Sequence, residues 1–489
     1  MPALAENWTV TPAAGVTETY TTNSNLGSSS QAQSNWVTTV SGSIGVNGSG
    51  ARTRLNGTVA LTGVLYATDS QNNYLYPSVN LLGNIEAIEK FFYVDGAINV
   101  SQQYLSPFAP QPADNIGVTD NRYTSASYRV SPYIQGVFPG GVTYLLRNNN
   151  IWTNLSNTPT NQPGFVGAYY NQWIGRLDSP IRTFGWSIDV NTNYTKFTDE
   201  SSLTSEIVRG ILHYQPDPQL RLDTIGGYER NNYFVTKSEN AVYGAGGEWK
   251  PSDRTTVAGD WQNRFFGSSY LASLTHRNPY TAFNINASRN ISTYPQLLFA
   301  LPAGANVAAL VDAAFTTRIP DPAQRAQAVQ AFLNQTGLPS TLQSPLNFYT
   351  QQVTLYDQQS ATFTVLGVRN SLAFTIYNVK SEAITGGSGV PLPPPFGSQT
   401  NNTQRGAALA YSHRLAPLTS LSATATRYDT IATAPFTGKS STDYFVVNVG
   451  TRLSPKTDVS TGLTYTIFDS NAFNDYTAFT AYVGLNHRF

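Results

Sequence analysis

The stretch AYVGLNHRF, residues 481–489, decides the fold. Taken every second residue and continued back one step, it presents Phe489, His487, Leu485, Val483, Ala481 and Phe479 on one side. Arg488, Asn486, Gly484, Tyr482 and Thr480 fall on the other. The first set is mostly apolar and the second mostly polar. A period of two is that of a half-buried strand, and the rest of the chain has to say what buries it.

The same alternation recurs throughout. Leu55, Val59, Leu61 and Leu65 alternate with Arg54, Asn56, Thr58 and Thr62. Phe92, Val94, Ile98 and Val100 alternate with Tyr93, Asp95, Ala97 and Asn99. Val459, Leu463, Tyr465 and Ile467 lie in a run whose other register is Ser460, Gly462, Thr464 and Thr466. Between such runs the connections alternate in length. Short ones, such as RLDSP (176–180), YQPDPQ (214–219), KPSDR (250–254) and LSPKTD (453–458), carry the residues of tight turns. Long polar ones, such as 22–34, 105–120, 154–164 and 385–402, lie between them. Alternating short and long connections are the organisation of an outer-membrane barrel, with short periplasmic turns and longer extracellular loops. The count is about 22 antiparallel strands, with both termini on the short-turn side. Residues 6–489 read as one barrel domain. Ala3-Leu4-Ala5 matches the end of a signal peptide, so residues 1–5 read as its remnant or as an added start.

Composition separates a membrane barrel from a soluble sandwich, which alternates too. Only 12% of the 489 residues are charged, about half the usual share, while aromatics reach 12%. No run of about 18 apolar residues offers a transmembrane helix. Glycine and alanine are frequent on the apolar side, as suits lipid contact. Phe184, Trp186, Trp249, Trp261, Phe265, Phe266 and Phe445 stand near strand ends, as in interfacial girdles. Lipid also supplies the reason for closure, because an open sheet edge in hydrocarbon leaves unpaired backbone groups at several kcal/mol each. The apolar side of residues 479–489 therefore faces lipid, and Phe489 is expected to act as the sorting signal read by the outer-membrane insertion machinery. Lipid and lipopolysaccharide are the expected surroundings.

Zero net charge and the lack of a basic stripe give no footprint for nucleic acid. Without cysteine the chain has no disulfide, zinc-thiolate site, iron–sulfur cluster or covalently attached haem, and no cofactor is expected. The histidines, His213, His276, His413 and His487, all fall near the short turns and have no metal-ligand spacing. No GxSxG, HExxH or P-loop is present, so an enzyme is not expected. Charged residues on the polar side are the better candidates: Arg54, Asp95, Asp189, Arg221, Asp223, Glu229, Asp260 and Arg264 are expected to line the lumen, either neutralising one another or setting selectivity.

Residues 297–348 break the strand pattern. Val307, Leu310, Val311, Ala314 and Phe315 have helical spacing. A second helix is expected from Asp321 as cap and Pro322 at the first turn to a stop at Gly337, with Val329, Phe332 and Leu333 as its apolar face. Strand parity puts this insert on the extracellular side. It is either a folded hairpin on a loop or a plug, with Val307, Leu310, Phe315, Val329, Phe332 and Leu333 as the packing residues.

The stretches NWTVTPAAGVTETYTTNSN (7–25) and RIPDPAQRAQAVQAFLNQTGLP (318–339) resemble the outer-membrane barrels associated with PEP-CTERM/exosortase systems. The chain has Thr22-Asn23 where that family often has Asp-Asn. The ending GLNHRF resembles β-proteobacterial porins. The first resemblance implies a conduit for exopolysaccharide, supplied by periplasmic polysaccharide-export proteins. The alternatives are a general or solute-specific diffusion porin and a scaffold barrel for an electron-transfer or other partner protein.

Overall fold

A continuous alternation of this kind has one way to satisfy every backbone group in lipid, which is to close on itself. The computed structural model does so. It describes residues 7–489 apart from 113–114, 158–166, 199–201, 234–235, 300–305, 343–347, 349, 351, 385–400 and 434–436. The leader reading of residues 1–5 lies outside the described residues. The first eleven strands are β1 (Asn7–Thr21), β2 (Asn35–Ser49), β3 (Thr53–Tyr66), β4 (Tyr74–Ile88), β5 (Phe92–Tyr104), β6 (Arg122–Val137), β7 (Thr143–Ser156), β8 (Ala168–Asp178), β9 (Phe184–Phe197), β10 (Ser202–Asp217) and β11 (Leu220–Tyr233). The second eleven are β12 (Thr236–Ser252), β13 (Thr255–Arg264), β14 (Gly267–Arg277), β15 (Thr281–Ser292), β16 (Thr354–Leu366), β17 (Asn370–Ala383), β18 (Asn402–Ala416), β19 (Thr419–Ala432), β20 (Lys439–Ser454), β21 (Thr457–Ser470) and β22 (Tyr476–Arg488). Each pairs antiparallel with the next, and β1 pairs with β22, so the 22-stranded sheet has no free edge.

The register fixes which side each residue takes. Val16, Val40, Val59, Leu61, Val208, Val447, Leu463 and Val483 all point outward and are exposed to the surroundings. An apolar band of this extent is too large for a soluble surface and is the lipid-facing belt of a barrel. At the extracellular ends the outward face changes to paired charges: Glu206 with Arg230 (3.4 Å), Arg427 with Asp443 (3.2 Å) and Lys380 with Glu382 (2.6 Å). Charge on the outer face is tolerated near the interfaces and costly at the midplane, so this collar marks the head-group level of the outer leaflet. Replacing Leu463, which lies mid-strand in the belt, by Arg is expected to cost about 2–4 kcal/mol. Urea unfolding of the barrel in phospholipid vesicles would measure it.

The alternation of connections is borne out, with two differences in detail. Several extracellular connections are as short as the turns, the one between β13 and β14 being Phe265-Phe266. Phe265 does not belong to an outer girdle: it packs on Tyr233 in an inner cluster with Phe197, Leu203 and Val353, while Phe266 lies against the Arg264 guanidinium. Phe184, Trp186, Trp249, Trp261 and Phe445 do stand exposed on the outside. Phe489 is 65% exposed, and its N–H donates to the Pro12 carbonyl at 2.9 Å, extending the seam between the first and last strands.

Candidate functional site

The lumen is where sequence and structure meet on function, and the long β15–β16 connection fills much of it. Three helices form there: α1 (Tyr294–Phe299), α2 (Val307–Phe315) and α3 (Pro322–Thr336). Local chemistry accounts for the last two. Asn306 caps α2 by accepting from Ala309 N–H at 2.9 Å, and Asp321 caps α3 by accepting from Gln324 N–H at 2.7 Å. Gly337 ends α3 in the left-handed region at φ 72°, where glycine carries no steric penalty. The helix α1 has no counterpart in the sequence reading.

The insert does not stand above the barrel. Val307, Leu310, Val311, Ala314, Val329 and Leu333 form one apolar cluster with Ala282, Leu366, Ala373, Ala408 and Ala410, with Phe315 and Phe332 packed against it. Those wall residues alternate with outward-facing Phe363, Phe374 and Leu409, so they point into the barrel, and they lie toward the periplasmic ends of β15–β18. The tip between α2 and α3 reaches the periplasmic turn: Arg277 donates to Thr317 Oγ1 at 3.0 Å, and Arg318 lies 4.9 Å from the Tyr280 ring centre. On the opposite wall, Tyr294 of α1 shares a 2.7 Å hydrogen bond with Tyr123, and Gln296 donates to the Tyr170 hydroxyl at 2.7 Å. Burial pushes the Tyr294 phenol up to about 12, so it stays neutral through the physiological range. The insert thus spans the lumen from β15–β18 to β6–β8.

A second connection narrows the extracellular mouth. Residues 105–121 leave β5 and cross to β20 and β21, where Ser440 Oγ donates to the Pro107 carbonyl (2.9 Å) and Ser470 Oγ to the Phe108 carbonyl (3.1 Å). The other end is held by Tyr66 Oη donating to the Ile116 carbonyl (2.6 Å) and Arg122 donating to the Gly117 carbonyl (3.1 Å). Leu105, Phe108, Ala109 and Ile116 are buried. By sequence the segment reads as an ordinary long connection, although its prolines and apolar residues, SPFAP, set it apart.

The eight charged candidates all take the inward parity of their strands. Seven of them fall on one stretch of wall, β5–β13, where acids and bases interleave. Asp95 pairs with Arg147, and Arg147 lies 4.8 Å from the Tyr133 ring centre. Asp189 lies between Arg176 (3.7 Å) and Arg209 (3.8 Å). Arg209 also donates to Gln262 Oε1 (3.2 Å), and Gln262 Nε2 donates to Asp260 (3.0 Å). Arg221 joins Asp223 (3.2 Å) to Glu248 (3.3 Å). Arg264 pairs with Glu229 at 2.7 Å, with the two side chains only 8% and 0% exposed. Arg54 stands apart on β3, opposite Asn84 in register and with no ion-pair partner among the described residues. The inner faces of β14–β20 carry hydroxyl, amide and small residues over most of their length. The lumen therefore has a charged wall and an uncharged wall, and α2 and α3 lie on the uncharged one.

Three of the histidines point outward at the rim, but His213 does not. It faces inward and is buried, with Nδ1 2.6 Å from Asp223 and Nε2 2.8 Å from Ser187 Oγ. Serine, histidine and aspartate in that order have the connectivity of a hydrolase triad. The rest of the chemistry does not follow. Ser187 is 2% exposed, its hydroxyl also reaches Asp178 at 2.7 Å, and Asp223 is shared with Arg221. The surrounding backbone N–H groups belong to strand ladders and so supply no oxyanion donors. Among the described residues no group of histidines and acids is arranged to hold a metal ion. The Ser187–His213–Asp223 network is structural. A fluorophosphonate probe is expected to leave Ser187 unlabelled in the folded protein, and mass spectrometry of the treated barrel would check it.

Closure in 22 strands, the outward apolar belt and the charged collar settle the location. The chain is a β-barrel of the Gram-negative outer membrane. No family model and no curated protein matches it. Solved structures of similar shape include the siderophore receptor PirA from Acinetobacter baumannii (9% identity, 98% of this chain and 80% of that one, TM-score 0.49). PirA from Pseudomonas aeruginosa has 9% identity over the same shares, with a TM-score of 0.46. OpdK from Pseudomonas aeruginosa, solved with vanillate, has 8% identity over 98% and 99%, with a TM-score of 0.37. Likeness this distant says nothing about solute or partner. The resemblance to exosortase-associated barrels is corrected: no family model matches the chain, and the solved structures of similar shape include siderophore receptors.

Proposed function

We propose that the chain is a solute-specific diffusion channel, narrowed from within by its own β15–β16 insert and at its mouth by the 105–121 strap. The observation that supports this most is the apolar cluster that seats α2 and α3 inside the barrel. A 22-stranded barrel is wide enough to need such filling, a covalently attached, well-packed insert restricts the bore, and this reading takes the remaining path to run along the charged wall. In this reading Asp95, Asp189, Arg221, Asp223, Glu229, Asp260 and Arg264 line that path, and Val307, Leu310, Phe315, Val329, Phe332 and Leu333 hold the plug. Because acids and bases alternate on the wall, the channel should discriminate weakly by charge sign and more by size and hydrogen bonding. An exopolysaccharide conduit rested on the resemblance now corrected, and no feature of the lumen singles out a polymer.

Planar-bilayer recording of the purified full chain tests the reading. Small, discrete conductance steps are expected, with a reversal potential near zero across a salt gradient. A protein that inserts and passes no current would refute the channel.

A further inference from the structure

A cavity of about 380 Å³ lies on the periplasmic side of the strap, lined from both sides of the mouth: Tyr76 from β4, Tyr104 from β5, Tyr428 from β19 and Tyr444 from β20, with Gln102 and Gln111 among the amides. Strands β22, β1, β2 and β3 separate these two parts of the wall, so a space touching both lies inside the barrel. The remaining lining is mainly hydroxyl and amide, and no described residue in it is charged. The contrast with the larger space beside α2, bordered by Asp253, Arg254, Arg277 and Asp312, is one of chemistry as well as place.

Gln111 supplies a second, independent observation. It is 5% exposed, and its Nε2 donates to the Pro107 carbonyl at 2.9 Å, which holds the amide in place. Its Oε1 is buried and accepts no hydrogen bond among the described residues. A buried carbonyl oxygen without a donor is costly, and the Gln111 side chain that carries it lines the cavity, so an O–H group that reached it from there would satisfy it.

Tyrosine rings offer flat apolar faces with hydroxyls at their edges. Amide and hydroxyl groups between them can both donate and accept. The molecule complementary to that set is uncharged, has apolar C–H faces to lay on rings and carries many hydroxyls around its rim. An ionic solute would enter without a counter-charge and lose hydration for nothing. From this we infer that the cavity is a binding site for a neutral saccharide of one or two rings. The inference builds on the channel reading by naming the solute class that the mouth selects.

The test is equilibrium binding, which does not need current to flow. Isothermal titration of the detergent-solubilised full chain would use glucose, maltose and sucrose, with glucuronate as the charged control. Saturable binding of at least one neutral sugar is expected, and none of glucuronate. Tyr428→Ala and Gln111→Ala are each expected to weaken binding at least tenfold, whereas Tyr428→Phe, which keeps the ring, stays within a few-fold of the parent. The heat-sensitive gel mobility of a folded barrel checks each variant. No saturable heat from any of the three sugars would overturn the inference and leave the channel standing if current is seen. Unchanged binding in both alanine variants would place the sugar elsewhere and overturn it as well. Binding without current would remove the channel and keep the site.

Discussion

Excising residues 297–348 and joining the cut ends with a short Gly-Ser linker is expected to raise single-channel conductance several-fold. The barrel itself does not depend on the insert, because β15 and β16 pair directly from Ser292 with Thr354 to Thr281 with Val365. What the excision removes is the mass seated on Ala282, Leu366, Ala373, Ala408 and Ala410. These wall residues are mostly alanine, so the bore they leave is wide once the helices have gone, and water fills it. The size limit for uncharged solutes should rise together with the conductance, which liposome-swelling rates for sugars of increasing size would follow. Equal conductance with and without the insert would mean that solutes pass by a route the helices do not obstruct.

The second large effect concerns stability. Arg264→Ala is expected to cost about 3–5 kcal/mol, because it leaves Glu229 fully buried without its counter-charge. The Phe265 N–H, which donates to Glu229 Oε1 at 2.6 Å, remains as a partner but carries no full charge. Removing both charges should be milder than removing the arginine alone, since a buried pair can be replaced by apolar groups at little cost. Chemical unfolding in phospholipid vesicles gives the comparison: the midpoint of Arg264→Ala should lie below that of the double Glu229→Ala, Arg264→Ala variant. The reverse order would show that Glu229 is served well enough by its neighbours to stand alone.

The wall of this molecule was legible and its filling was not, for a physical reason. A strand between lipid and water writes a period of two along its whole length, and the register that puts Val483 and Leu485 outward follows directly. Charged residues on the opposite parity, such as Asp189 and Asp223, can be assigned to the inside by the same rule. Helix ends are similarly local: Asp321, Pro322 and Gly337 mark α3 without reference to anything beyond it. Docking is not local. The cluster that takes up Val311 and Leu333 includes Ala373 and Ala408, distant in sequence and ordinary in type. Alanine on a strand suits lipid contact, yet Ala282, Ala373, Ala408 and Ala410 are inward-facing and small because helices lie on them. His213 lies near a turn, as its place in the sequence indicates, but only the register shows the ring turned inward between Ser187 and Asp223.

The seam between β1 and β22 carries a consequence for how the molecule is made. Its nine paired positions, Ala13–Thr21 against Thr480–Arg488, join the two ends of the chain. Every other strand pair is between sequence neighbours and can form as the chain extends, but this one has to wait for all the rest. Until it forms, the sheet has two raw edges, each able to recruit a strand from another chain. The closing step is therefore the point at which assembly and aggregation compete. Substitutions in the seam should slow maturation out of proportion to their effect on the finished barrel.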